Sequence, residues 1–374
     1  MNVPFASRIA AFIRVLDERV WPEFFYRLNE TVRETLRDAP VIIADVGAAG
    51  GPDPRWAPAG DAARFVVFEP DARSQALTAP RIAKVFTTGL AAAPGRQTLH
   101  LTRLPQASSI YEINAERMDD FAIREWLEVV GRTDIELDTL DACFADAPHL
   151  APDFIKIDVE GADLDVLRGG ARVIERHVMG VQVETSFLER HRRAPLFGEI
   201  DAHLRARGFD LFHLACERWT RRNLVHGANS RPQVVWADAV YFLSRPAFLD
   251  RLAAAPADRR AALTAKFLVA LLAYGAHDYA LEIVEATASL IPRRVADALR
   301  QCVLESVESY RRRIAREGAG FVFALVAFIV ALPLTPARRR AAPYLKRRAG
   351  ALFHTLYRAS ARAGVANACL ADPH

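Results

Sequence analysis

Three short segments of the chain place acidic side chains beside glycines in patterns that suit ligand binding. At residues 44–51 the run ADVGAAGG follows the apolar stretch VII, and Gly47, Gly50 and Gly51 leave no side chain where the chain turns. A ligand can then approach backbone N–H groups closely. The order G-x-x-G-G departs from the dinucleotide fingerprint G-x-G-x-x-G, which disfavours a pyrophosphate cradle and favours another nucleoside-containing ligand. Next, RFVVFEPD ends an apolar run on Glu69. A carboxylate about twenty residues after such a turn is placed to accept hydrogen bonds from both ribose hydroxyls. The third segment, DFIKIDVEGADLDVLRGG at residues 153–170, delivers Lys156, Asp158 and Glu160 from an apolar run and opens a helix through Gly161. Residues two apart on a strand point the same way. Paired acids at a buried edge are costly unless they meet a cation, donors or a substrate. GVQVETSF brings Glu184 to the same edge, as a substrate contact or as the partner of a neighbouring arginine. His191 in ETSFLERHRR is either a base suited to proton transfer near neutral pH or a solvated loop residue.

Such residues need a scaffold, and the sequence supplies one. From Val41 onward the short runs VIIADV, RFVVFE, IAKVFT, DFIKID and GVQVET recur with helical or loop segments between them, and FDLFHL and DAVYFL follow. Continuous apolar runs suit strands buried on both faces, and their alternation with helices predicts a doubly wound α/β sheet. Ligands bind such sheets at the carboxyl edge. Between residues 97 and 140, RQTLHLTRL and TDIELDTL alternate apolar with polar residues and predict an antiparallel insertion beside the parallel core. Ser108, Ser109, Tyr111 and Asn114 fall in that insertion, placed either to bind substrate hydroxyls or to cap the loop. Ahead of the sheet, Ile9, Phe12, Ile13, Leu16 and Val20 recur at helical spacing, and a second such stretch ends near Arg37, so two amphipathic helices are expected. After about Pro246 the chain turns Ala/Leu-rich with helical spacing, as at Phe267, Leu268, Leu271, Leu272 and Tyr274. The domains expected are therefore a helical extension over 1–40, a catalytic domain over 41–246 and a helical appendage over 247–374.

With Asp45, Gly47, Glu69 and IKIDVEGADLDVLRGG in place, the chain resembles the FkbM-like family of S-adenosylmethionine-dependent methyltransferases. Further matches are ASSIYEIN for the family's Ser-Ser segment and DTLD for its T-L-D; Asp163 stands where Glu is commoner. The resemblance covers residues 41–244. It implies the class I methyltransferase (Rossmann-like) fold, a seven-stranded sheet with a reversed final strand. It also implies S-adenosylmethionine as cofactor, with Asp45, Gly47 and Gly50 bordering the methionine part, Glu69 on the ribose and Leu90 near adenine. The family's reactions are commonly O-methylations of sugar or polyketide hydroxyls. A hydroxyl nucleophile needs alignment and a proton acceptor, and Asp158 is the first choice. Glu160 then orients the cofactor's ammonium or a loop, or shares a divalent metal with Asp158 as hard oxygen ligands. His191 is the alternative base, and Ser108, Ser109 and Glu184 are the substrate-side candidates. Open alternatives are N-methylation, methylation of a lipid-linked glycan at a membrane surface, and a non-catalytic membrane-associated binding module.

Composition narrows the partners. The chain has 374 residues, 51% hydrophobic and 25% charged, so it is no disordered or collagen-like polymer. Its net charge of +4 is unevenly placed: residues 338–374 hold eight Arg/Lys and one Asp, leaving 41 basic and 44 acidic residues elsewhere. A near-neutral body without a basic, aromatic-interleaved stripe argues against nucleic acid, and a small-molecule or glycan acceptor is expected instead. Residues 318–334, GAGFVFALVAFIVALPL, carry no charge, but their seventeen positions fall short of the roughly twenty that span a bilayer. Followed by Arg338, Arg339, Arg340, Lys346, Arg347 and Arg348, they are expected to pack as a buried helix or to touch an anionic membrane peripherally. Cys143, Cys216, Cys302 and Cys369 are too scattered for a zinc framework and too few for a disulfide scaffold. Charged residues interrupt the first twenty positions, so no signal-peptide core forms. A cytoplasmic location is the expectation, with peripheral contact at the inner face of the membrane as the alternative to a packed helix.

Overall fold

The computed structural model describes residues 26–48, 51–71, 81–121, 124–222, 232–310 and 312. Tyr26–Val303 form one compact unit, and the architecture below is that of this unit. Gly50, the first predicted helix, the apolar segment 318–334 and the basic tail lie outside the described residues.

Ten strands follow in chain order: β1 (Val41–Val46), β2 (Ala63–Phe68), β3 (Ile82–Phe86), β4 (Gly89–Leu90), β5 (Gly95–Thr102), β6 (Val129–Asp138), β7 (Phe154–Ile157), β8 (Gly180–Ser186), β9 (Phe209–Trp219) and β10 (Gln233–Leu243). Seven of them form one sheet in the order β3-β2-β1-β7-β8-β10-β9. β3, β2, β1, β7 and β8 run parallel, whereas β10 is antiparallel to both β8 and β9. This is the class I methyltransferase arrangement, with the reversed strand inserted inside the edge. Every residue of β1 and of β8 is buried, as strands covered on both faces require. The edge strand β3 alternates between half-buried and exposed residues.

The chain winds outward in both directions from β1, through β2 on one side and β7 on the other. That reversal opens a crevice at the carboxyl edge, where sheets of this kind bind ligands. The predicted insertion is a second, three-stranded sheet in the order β4-β6-β5, with β5 and β6 antiparallel.

The helices include α1 (Glu30–Leu36), α2 (Ala115–Met118), α3 (Leu140–Ala145), α4 (Asp163–Gly169), α5 (Ala171–Arg176), α6 (Phe197–Arg205), α7 (Arg245–Ala254), α8 (Ala257–Ala273) and α9 (His277–Thr287). Asn29 caps α1 by accepting from the Val32 amide at 3.0 Å and donates to the Ala298 carbonyl at 2.8 Å. Helix α8 closes one face of the sheet: Phe267–Ala273 are all buried, and Phe267 meets Phe242 of β10 edge-on at 6.1 Å. The buried Asp153 carboxylate, just before β7, accepts from the Ile42 amide at 2.8 Å and pairs with Lys266 of α8 at 2.9 Å. One acid thus ties β1, β7 and α8 together.

A smaller apolar cluster of Met118, Phe121 and Val235, flanked by Ile113, Leu127, Leu188, Trp219 and Trp236, fixes the loop after β5 against the ends of β9 and β10. No helix among the described residues is long and apolar enough to cross a membrane.

Candidate active site

The glycine turn after β1 and the acidic turn after β7 touch backbone to backbone. Gly47 has φ of +77°, and a Cβ there would lie 2.0 Å from the Asp158 carbonyl oxygen. Only a glycine fits. Lys156 of β7 reinforces the junction: its ammonium lies 3.4 Å from Asp45 Oδ1 and 3.5 Å from Asp158 Oδ2, and donates to the Gly47 carbonyl at 3.5 Å. Burial alone would lower the pKa of this lysine, but Asp45 and then Asp158 outweigh it and the net shift is upward. Burial raises Asp45 in turn, against the pull of Lys156. A charged cluster therefore sits under the turn, with Asp45 sealed inside it.

Above that junction opens a cleft with about 770 Å³ of empty space, part of it open to solvent. Among the residues singled out from the sequence, Gly47, Glu69, Leu90, Ser108, Ser109 and Asp158 line it. Glu69 ends β2 as a buried carboxylate, with Oε1 accepting from the Asp71 amide at 2.9 Å. Burial raises its pKa. Ile135, Leu137 and Leu99 of the insertion sheet supply apolar walls.

The serines of the loop after β5 are engaged with the protein. Ser109 Oγ donates to the Glu160 carbonyl at 2.6 Å and accepts from the Tyr111 amide at 2.9 Å, while Ser108 Oγ accepts from the Thr102 amide at 3.2 Å. Tyr111 donates to Asp165 at 2.6 Å, and Asn114 caps α2 and donates to Glu189. These bonds clamp the insertion over the cleft.

The second acid of the pair sits on a backbone reversal. Glu160 adopts a left-handed φ of +55°, followed by Gly161 at +103°, and the reversal turns its side chain away from the cleft lining. Asp163 stabilises that reversal by accepting from the Gly161 amide at 3.0 Å and the Val159 amide at 3.3 Å. Burial, then the nearby Asp158, pushes the Asp163 pKa up to about 7. Glu160 lies 3.1 Å from Arg190 Nη1, and burial pushes its pKa up to about 6 against that arginine's pull. The same guanidinium pairs closely with Glu184 and donates to Ser186 Oγ at 3.0 Å. Glu184 therefore faces an arginine, the second of its two expected partners.

One carboxylate oxygen from each of Asp158, Glu160 and Glu184 lies within 4.8 Å of the others, a spacing that hard metal ions accept. Arg190 already supplies the positive charge to two of the three, so the set fits an ion only if that buried arginine is displaced.

His191 is buried rather than solvated. Its Nδ1 has no hydrogen-bond partner, and a Cβ on Gly161 would lie 3.2 Å from that atom. Burial, then Arg190 and His100, lowers its pKa to about 3. It is neutral at physiological pH, a very weak base, and absent from the cleft lining.

Polar residues next to this cluster, outside the cleft lining, escape local sequence reading. Asp238 of β10 lies opposite Glu184 in the antiparallel register, and burial, then Asp158, pushes its pKa up to about 6. Gln182 accepts from the Tyr274 hydroxyl at 2.7 Å, and Arg55 stacks 4.2 Å above the Tyr274 ring.

The cleft fits a nucleoside bearing an amino-acid arm. It has a close-approach turn, a buried acid at the end of the adjacent strand and an apolar slot beyond. Residues 45–211 match the family model of the Methyltransferase FkbM domain. No curated protein matches the chain. Twelve chains of solved structures do. One of these, the Methyltransferase FkbM from Methylobacillus flagellatus KT, is 20% identical and aligns over 54% of this chain and 43% of its own, with a TM-score of 0.30. The chain thus spans less than half the length of that relative.

Proposed function

Since residues 45–211 belong to the FkbM methyltransferase family, we propose that the chain transfers a methyl group from S-adenosylmethionine to a hydroxyl oxygen of a sugar, glycan or other small metabolite. The observation that carries this reading is the convergence of Gly47, Glu69 and Asp158 on one cleft at the switch point of the sheet. When bound there, the cofactor supplies an electrophilic methyl on a sulfonium. Gly47 would give the methionine arm close access to the backbone, Glu69 would accept hydrogen bonds from the ribose hydroxyls, and Leu90, Ile135 and Leu137 would wall the adenine. Asp158 would take the proton of the acceptor hydroxyl as the oxygen–methyl bond forms and the sulfur–methyl bond breaks, with S-adenosylhomocysteine as the leaving group. Lys156, 3.5 Å away, pairs with that carboxylate and fixes its position.

Two variants test the assignment. Glu69→Gln removes the charge that favours the ribose hydroxyls, so S-adenosylhomocysteine should bind about 10-fold more weakly by isothermal titration, a loss of about 1.4 kcal/mol. A wild-type chain that does not bind S-adenosylhomocysteine, or binds it no better than Glu69→Gln, would overturn the cofactor site. Asp158→Asn keeps the shape but not the base. Transfer of labelled methyl to a panel of sugar and glycan acceptors should fall about 10²–10⁴-fold, with cofactor affinity retained. Undiminished transfer by Asp158→Asn would remove Asp158 as the base, and methyl recovered on nitrogen would replace the hydroxyl acceptor.

A further inference from the structure

A second cavity opens on the opposite side of β5 from the cofactor cleft. It holds about 1440 Å³ of empty space, open in part to solvent, and its polar lining is His100, Glu112, Glu128, Arg132 and Arg222. Strand alternation explains the separation: Leu99 faces the cleft, and the next residue, His100, faces the second cavity.

Charge decides what this cavity takes. His100 and Arg132 are direct cross-strand partners in the β5–β6 pair, so their side chains stand side by side on one face. The acids nearby are already paired. Glu128 pairs with Arg103, and Glu112 lies 4.0 Å from Arg192. Asp134, two residues along β6 on the same face, lies 3.5 Å from Arg96 and accepts from Thr98 at 2.9 Å. Arg132 and Arg222 have no acidic partner among the described residues. His100 Nδ1 is a buried atom with no hydrogen-bond partner, and such atoms are rare unless a ligand or water satisfies them. The Arg222 backbone amide donates to the Asp120 carbonyl at 2.8 Å, and its side chain is exposed at the cavity.

Two unpaired guanidinium forks beside an imidazole make a receptor for a tetrahedral oxyanion, because planar N–H pairs match phosphate oxygens. We propose that this cavity is a phosphate-binding site, formed by His100, Arg132 and Arg222 and distinct from the cofactor cleft. The phosphate is carried either by a soluble sugar phosphate or by a phospholipid headgroup. The site stands or falls separately from the methyl-transfer reading.

The test uses the full chain and three variants: Arg132→Gln/Arg222→Gln, His100→Ala, and Arg96→Gln as a charge control on the same sheet face. Inorganic phosphate and glucose 1-phosphate should bind by isothermal titration, whereas glucose should not. The double variant should weaken phosphate binding at least 10-fold and His100→Ala by several-fold, with Arg96→Gln unchanged. Affinity for S-adenosylhomocysteine should be the same in all four proteins, which separates loss of the phosphate site from loss of the fold or of the cofactor cleft. Co-sedimentation with phosphatidylglycerol vesicles, set against phosphatidylcholine, distinguishes the sources: a lipid headgroup ligand predicts that the double variant loses vesicle binding, and a soluble ligand predicts no difference. Absence of phosphate binding to the wild-type chain, equal affinity in wild type and double variant, or an equal loss in Arg96→Gln would overturn the proposal.

Discussion

Gly47→Ala is expected to weaken S-adenosylhomocysteine binding by about 100-fold, or about 2.8 kcal/mol, and to abolish measurable methyl transfer. The added Cβ would sit 2.0 Å from the Asp158 carbonyl oxygen, where ordinary contact begins at about 3.4 Å. The obstacle is backbone and cannot swing aside as a side chain can. Either the glycine turn lifts off β7 or the Asp158 turn retreats, by more than 1 Å in both cases. Displacements of about that size cost about 10²-fold in rate even when chemistry is untouched. The lift would also part the Gly47 carbonyl and Asp45 from Lys156, which joins them to Asp158. Gly51→Ala is the matched control. Gly51 also has a positive φ, +87°, but nothing lies within 4 Å of its added Cβ, so only the left-handed backbone penalty of about 1–2 kcal/mol applies. Calorimetric titration of both variants reads the contrast. Similar affinities in the two would mean that the contact with Asp158 does not shape the cofactor site.

The strands and the glycine turn were legible because local pattern determines them. VIIADV is apolar but for Asp45 and is buried along its whole length; GVQVETS interleaves Val181 and Val183 with polar residues and is buried throughout as well. RQTLHLTRL alternates, and β5 pairs as an antiparallel strand of a small sheet. The carboxyl-edge position of Glu69 and Asp158 follows from where those runs end.

Arg190 was not legible. In ETSFLERHRR it stands among charged neighbours that read as a solvated loop, yet it is 5% exposed, stacks near Trp236 and holds two carboxylates. Trp236, which flanks the Met118–Phe121–Val235 cluster, lies against it from β10, a neighbour distant in the chain. His191 is buried as well, bridged to Ile113 and lying beside Gly161, and so loses the exposure that its neighbours in sequence suggest. Asp238 reads as one polar residue on an alternating strand. Its proximity to Glu184 depends on β10 running antiparallel beside β8, which no local spacing encodes. Glu160 illustrates a limit of periodicity: β7 ends at Ile157, and past the left-handed turn Asp158 lines the cleft while Glu160 pairs with Arg190, although their nearest carboxylate oxygens stay within 4.8 Å.

The burial of Arg190 sets up the largest expected change in stability. Arg190→Met leaves the Glu160 and Glu184 carboxylates facing each other without their shared cation. Breaking a buried pair by removing one partner costs about 3–5 kcal/mol, and at about 2–4 °C per kcal/mol for a unit of this size the melting temperature should fall by roughly 10 °C. The deficit should depend on pH in a defined direction. Burial already holds the Glu160 pKa at about 6, above its ordinary 4.5, while Arg190 restrains it. A carboxyl whose folded pKa is raised binds more protons folded than unfolded, so stability falls as pH rises from the unfolded value through the folded one. Without Arg190 the folded pKa climbs further, and the decline extends to higher pH. Wild type and variant should therefore converge near pH 5, where Glu160 is protonated in both, and separate most near pH 8. Adding Glu184→Gln to Arg190→Met removes one of the stranded charges and should recover part of the lost melting temperature at pH 8 but little at pH 5. Calorimetric melts of the three proteins at the two pH values check each step. A deficit that does not change with pH, or a double variant no more stable than Arg190→Met, would mean that the arginine acts through packing on Trp236 and not through the two carboxylates.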